Sequence, residues 1–266
     1  MINQEKLVTY LQAKQIQIPK PSKKAERACR ERVDNLTKPI YSLAQLEVIA
    51  VRLAGLLHTP KPNHLFMGGV LFMGEKEVPA LATKAVLQAL QATYQTCLIT
   101  KEQEEDLSWE DAYELGKAEA IKAKKAGLQI VALGASRIDR ESKAFIVMTA
   151  FVLELVALGL PVVFDTLLIG QAVEIATRAY PDLKAYAFAS IGETAKQKKA
   201  QAEQMETLGL MPYLFYDIDR GEGLGAALGL SLIDASLHML NDMKTFGEAS
   251  VTVAEDGPGN GRQDGR

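Results

Sequence analysis

GLQIVALGASRIDRESKAFIVMTAFVLELVALGLPVVFD (127–165) decides the fold. Its opening, LQIVALG (128–134), is an unbroken apolar run that reads as a buried strand, and the apolar stretch over 141–158 reads as a helix. Gly159 and Pro161 stop that helix, and PVVFD (161–165) follows as a second, β-branched strand. The alternation continues downstream with a helix ending near Tyr180 and Pro181, the strand YAFAS (186–190), a charged helix over 193–208, the strand PYLFYD (212–217) and a long final helix over 223–246. Strands that are apolar throughout, in place of alternating, call for a parallel sheet covered on both faces. The expected fold is α/β, a Rossmann-like parallel sheet with helices on both faces.

Upstream, Ser108 stands three residues before Asp111, a capping-box spacing that opens a helix ending at Gly127. The segment 78–98 reads as mostly helical, and His64 to Met73 is a short apolar run containing Gly68 and Gly69. Leu43, Leu46, Ile49, Ala50, Leu53 and Leu56 recur at helical steps and mark a helix with one buried face. Residues 1–33 carry a weak stripe (Leu7, Tyr10, Leu11) that breaks at Pro19 and Pro21, which reads as an arm and a turn. The expected division is a small helical subdomain from 1–60, a sheet domain over 61–222, a C-terminal helix over 223–251 that completes the small subdomain, and a polar, glycine-rich flexible tail over 252–266.

The 266 residues are 48% hydrophobic and 24% charged, with a net charge of -3. That balance argues against a nucleic-acid scaffold, although the first 33 residues hold eight Lys/Arg against three Glu. The most apolar stretch, 144–164, carries Glu154 and is cut by Gly159 and Pro161, so no membrane segment is expected. The start, MINQEKLVTY, lacks the pattern of a secretory signal, and Cys29 and Cys97 form neither a disulfide framework nor a metal-spacing pair. A cytoplasmic protein is expected. His58, His64 and His238 are too scattered in sequence to indicate a metal site, and no metal is expected.

In an open parallel sheet, ligands bind beyond the carboxyl ends of the strands. Gly134, Ser136 and Arg137, then Asp165, then Ser190, then the loop from Asp217 to Gly225 occupy those positions. Small residues there either close over a ligand or only make tight turns. In Arg220-Gly221-Glu222-Gly223-Leu224-Gly225, three glycines at alternate positions precede a helix, so backbone N–H groups can converge on an anion. The spacing is GxGxG, a poor match to the GxGxxG dinucleotide fingerprint. Glu222 has two readings: it caps the helix dipole, or it acts as a general base once an apolar ligand excludes water from it.

Three separated words carry a resemblance. RGEGLGAALGLSLIDASLHMLNDMKTFGEASV (220–251), DNLTKPIYSLAQLEVIAVRLAG (34–55) and LGLPVVFDTLLI (158–169) resemble the nicotinate-nucleotide:dimethylbenzimidazole phosphoribosyltransferase family, with this chain a short, divergent member. The resemblance implies an α/β domain with a small helical domain from both termini, a homodimer, and phosphoribosyl transfer from nicotinate mononucleotide to an aromatic base of the benzimidazole type. It makes Glu222 the general base, with Arg220, Gly221, Gly223 and Gly225 around the substrate, and needs neither cofactor nor metal. The family's GEMGIGNTT-like loop, which binds phosphate and supplies a second carboxylate, reads GASRIDRES (134–142) here. Ser136, Arg137 or Arg140 would then hold the phosphate, and Lys143 would stand in for a family lysine. The KPPGSLG turn reads KPIYSLA, the Asp-His-Gly segment is absent near LFMGGVLFMGE (65–75), and Ile191 replaces a histidine after Ser190. These losses leave a second implication: a lapsed paralogue that binds the base or the α-riboside, or a partner subunit of a complete homologue.

Overall fold

A computed structural model describes residues 3–74, 80–191, 197–215 and 222–250. Six strands, β1 (Met67–Met73), β2 (Thr93–Leu98), β3 (Ile130–Ser136), β4 (Val162–Phe164), β5 (Ala187–Ile191) and β6 (Leu214–Phe215), form one sheet in the order β2-β1-β3-β4-β5-β6. Every pairing is parallel. Val131 lies opposite Val162, which in turn lies opposite Ala187. All residues of β1 and β5 are buried, so helices cover both faces, as the unbroken apolar runs require. The chain steps outward from β1 to β2 and then returns to β3 on the other side of β1. Strand order therefore reverses between β1 and β3, the place where such sheets open a ligand crevice.

The helices are α1 (Gln4–Gln12), α2 (Lys23–Asp34), α3 (Gln45–Leu56), α4 (Leu81–Ala89), α5 (Lys101–Asp106), α6 (Trp109–Lys125), α7 (Lys143–Ala157), α8 (Leu167–Ala179), α9 (Lys198–Leu208) and α10 (Leu224–Asp242). α7 is buried from Ala144 to Val156 except at Glu154, and packs between α6 and α8 as a helix apolar all round must. Its Phe151 meets Phe72 of β1 edge to face at 5.1 Å. α6 begins with the expected box: Ser108 Oγ accepts from the Asp111 N–H at 3.1 Å, and Asp111 Oδ2 accepts from the Ser108 N–H at 2.9 Å. α10 has the length and apolarity to cross a membrane, but 56% of its apolar window is buried inside the fold, as in a core helix.

Three stretches depart from the sequence reading, the shortest departure being the final helix, expected over 223–246, which ends at Asp242. The segment 78–98 is not mostly helical: α4 ends at Ala89, Gln91 turns the chain at a φ of +54°, and Thr93–Leu98 becomes β2. β2 is a half-exposed edge strand whose mixed burial hides its period, and pairing with β1 decides its state. The expected arm and turn also contain α2, whose buried stripe is only Ala25, Cys29 and Val33 on an otherwise charged helix. Ser22 caps it, accepting from the Ala25 N–H at 3.2 Å.

The chain divides into two compact units, Met1–Pro19 with Phe66–Leu230, and Lys20–Leu65 with Ser231–Arg266. α1, grouped from sequence with the helical subdomain, belongs to the sheet unit: Tyr10 meets Trp109 edge-on, Lys14 Nζ bonds Glu110 at 2.7 Å, and Arg178 pairs with Glu5 on α1. Cys97 of β2 is buried in this unit, its thiol pushed up to about 12 by burial.

The smaller unit packs Cys29, Val33 and Leu36 against Ala50, Val51, Ala54, Met239 and Leu240. Its first and last segments meet in an antiparallel bridge between Leu36 and Thr245. Lys38 Nζ and Glu47 Oε1 form a fully buried ion pair at 2.8 Å, and Glu47 also accepts from the Leu43 N–H. Between them Tyr41 (φ +58°) and Ala44 (φ +42°) adopt left-handed backbone where the family word KPPGSLG has glycine. The expected tail, 252–266, lies outside the described residues.

Candidate functional site

Glu222 sits where the strand order reverses. Gly134 of β3 makes room for it, because a Cβ there would lie 2.8 Å from the Glu222 carbonyl oxygen and 2.8 Å from Gly223 Cα. Glu222 itself has a φ of +39° and Gly223 one of +82°, so the loop makes a left-handed double step directly before α10. The Ser136 hydroxyl at the end of β3 donates to Glu222 Oε1 at 3.3 Å, and the Thr83 hydroxyl of α4 donates to the Glu222 carbonyl at 3.2 Å. Tyr94 of β2 lines the same small cavity, and burial, reinforced by the Glu222 carboxylate, raises its phenol above the usual range. The space beside the carboxylate is about 10 Å³, room for one water molecule. A larger cavity of about 620 Å³ opens between α9 and the β5–β6 edge, lined by Met205, Met211 and Phe215. Its lining includes Lys198 and Glu206, and Glu222 lies in the smaller cavity.

The strand-end residues Asp165 and Ser190 meet on one backbone unit. Asp165, 1% exposed, accepts from the Gly225 N–H at 2.8 Å, and Ser190, fully buried, donates to the Gly225 carbonyl at 2.7 Å. A buried carboxylate at the first turn of α10 is favoured by the helix dipole. Gln201 of α9 braces it by donating to the Asp165 carbonyl at 3.1 Å. The Gly225 N–H, expected to face a substrate anion, is thus spent on Asp165, and the pair anchors the Glu222 loop. Ser136 likewise contacts Glu222.

The loop between β3 and α7 is arranged differently. Lys143 Nζ donates to the carbonyls of Glu104 and Glu105 at 2.8 and 3.1 Å, at the end of α5. The first turn of α7 receives a carboxylate from its own chain: Glu104 Oε1 accepts from the Ala144 N–H at 2.9 Å. Arg137 is exposed, with a φ of +52°. Arg220 and Gly221 lie outside the described residues.

Thr83 and Tyr94 are site residues that the sequence reading missed, because the segment carrying them gives no sign that it folds back beside β1. The histidines are not scattered in the fold. His64 and His238 converge on Asp234 in the smaller unit, while His58 is outside that cluster.

A carboxylate held by a serine hydroxyl beside a buried phenol, at the reversal point of a parallel sheet, is equipped to take a proton from an N–H or O–H donor. The family model described as phosphoribosyltransferase matches residues 18–104 and 142–251, well over half of the chain, and passes over 105–141, which includes β3 and most of the loop after it. Among curated relatives, the nicotinate-nucleotide–dimethylbenzimidazole phosphoribosyltransferase of Desulforamulus reducens is 36% identical over 105 residues, 40% of this chain and 29% of the relative. That of Chlorobium chlorochromatii is 34% identical over 110 residues, 41% of this chain and 30% of the relative. The chain thus spans under a third of the length of these relatives in the matched region. A crystal structure of the same-named enzyme from Thermus thermophilus shares the fold at a TM-score of 0.68 and 21% identity, covering 88% of this chain and all of that one. The matched segments hold both the 34–47 word with its buried Lys38–Glu47 pair and the Glu222 loop, and the chain belongs to the nicotinate-nucleotide–dimethylbenzimidazole phosphoribosyltransferase family.

Proposed function

We propose that the protein transfers phosphoribosyl from nicotinate mononucleotide to a benzimidazole-type base, giving an α-riboside phosphate for assembly of a cobamide lower ligand. The observation that carries this reading is the placement of Glu222 between Ser136 and Gly223, at the reversal of strand order, on a loop anchored through Gly225. An azole ring nitrogen attacks C1 of the ribose, and the electrons of the C1–pyridinium bond return to the nicotinate ring, which leaves without a metal. Glu222 takes the azole N–H proton. The working unit in this reading is a cytoplasmic homodimer with small-molecule substrates. Incubation with nicotinate mononucleotide and a panel of azoles and phenols, following free nicotinate, tests it; no release by folded protein at high concentration overturns it.

One observation favours a second reading. With Glu104 on the α7 N-terminus and Lys143 tied to α5, two groups beside the β3–α7 loop that could meet a phosphate are already engaged. A binding-only paralogue or partner subunit would be stabilised by the base or the α-riboside without turnover, and Glu222→Gln would behave as wild type.

A further inference from the structure

Two of the chain's three histidines meet in the smaller unit. α10 supplies Asp234 and His238, four residues apart and therefore on one helix face. His64 comes from the segment after α3, and Asn241 fastens that segment to α10 by donating from Nδ2 to the Pro62 carbonyl at 2.8 Å. His64 Nδ1 lies 3.4 Å from Asp234 Oδ1, and His238 Nε2 lies 3.7 Å from Asp234 Oδ2. These separations are long for N–H···O hydrogen bonds, whose mode is about 2.9 Å. They approach the edge of a tetrahedron of ligands around zinc, about 3.3 Å for bonds of about 2.05 Å. All three ligand atoms lie within 4.8 Å of one another, and the two imidazole rings meet at 4.5 Å between centroids.

The outer contacts point the same way. His238 Nδ1 lies 2.6 Å from Asp242 Oδ2; with Asp242 ionised the Nδ1–H donates, so the neutral ring keeps its lone pair on Nε2. A carboxylate behind a histidine is the arrangement that orients metal-bound imidazoles. Asp242 also closes α10 at the negative end of its dipole, and the last turn holds no basic residue to offset it.

We propose that His64, Asp234 and His238 bind a divalent first-row transition ion of the zinc class, with one position left to water. Two imidazoles and one carboxylate suit Zn²⁺ better than Mg²⁺ or Ca²⁺, which take oxygen ligands. The ion staples the segment carrying His64 to α10. The phosphoribosyl chemistry proposed at Glu222 does not use it.

Titration calorimetry with ZnCl2 on tag-free, metal-stripped protein should show one saturable site per chain. Asp242→Ala, which removes only the outer contact, weakens it by about tenfold, and His64→Ala or His238→Ala weakens it further. His58→Ala changes nothing. Zinc raises the Tm of wild type by several degrees and leaves that of His64→Ala in place. Both histidines are exposed, so the alanine variants keep the fold, which far-UV circular dichroism verifies; Asp234→Asn provides an independent loss. Co²⁺ in place of zinc gives the intense visible bands of a four-coordinate ion. Absence of saturable binding, or binding that survives His64→Ala and His238→Ala together, overturns the site.

Discussion

The two rims of the crevice at the carboxyl edge of the sheet use charge in opposite ways. At β4 and β5, Asp165 and Ser190 are buried and aimed at Gly225, so their polarity positions the backbone that presents Glu222. At β3–α7, Lys143 and the α7 N-terminus are two of the features that would greet a phosphate, and both are engaged by α5, while Arg137 and Arg140 of the same loop are exposed. One rim holds a carboxylate ready; the other already engages the α7 N-terminus and Lys143. A carboxylate kept at one rim therefore does not imply an anion site kept at the other, and the two can be tested apart.

The sharpest break is Glu222→Gln. Loss of a general base slows nicotinate release by on the order of a thousandfold if the carboxylate does chemistry; an unchanged rate would reduce Glu222 to a helix cap. Next comes Asp165→Ala, which strands a buried N–H and removes a charge from the α10 terminus, at a cost of about 3 kcal/mol in urea unfolding. Ser190→Ala, with a neutral partner, costs about 1 kcal/mol on the same measurement. On the other rim, Glu104→Gln weakens the α7 cap and destabilises by about 1 kcal/mol. It should also create a response to inorganic phosphate: Tm rises with phosphate in Glu104→Gln and stays flat in wild type. A variant that ignores phosphate would show that the β3–α7 rim was never an anion site in this chain. The smallest effect serves as a control for strained backbone without a proposed catalytic duty. Ala44→Gly, relieving the φ of +42° in the smaller unit, stabilises by about 1 kcal/mol and leaves nicotinate release unchanged.

The fold was legible where burial is uniform. Residues 127–165 announce strand, helix and strand because neither β3, α7 nor β4 has a wet face to confuse the period, and the capping box of α6 is wholly local. β2 and α2 were not, since an edge strand and a helix with three small buried residues owe their state to neighbours that the local pattern does not contain. The same limit governs the site. Glu222 stands out among glycines, and Asp165 and Ser190 stand out at strand ends, but the partner they share lies 60 and 35 residues downstream. Thr83 and Tyr94 reach Glu222 only because β2 lies outside β1, and His64 reaches Asp234 across 170 residues. Strand order and helix pairing create these meetings, and short-range periodicity carries no record of either.

The two buried thiols give each unit its own clock. Cys29 lies in the core of the smaller unit and Cys97 in the sheet unit, and burial pushes both up to about 12. Neither reacts with a thiol reagent until its surroundings open. The labelling rate of each cysteine, followed by peptide mass analysis in the unmodified protein, therefore times the opening of one unit independently of the other. Ligand added at Glu222 should slow the Cys97 clock, and zinc the Cys29 clock, so a single labelling run reads both occupancies as protection.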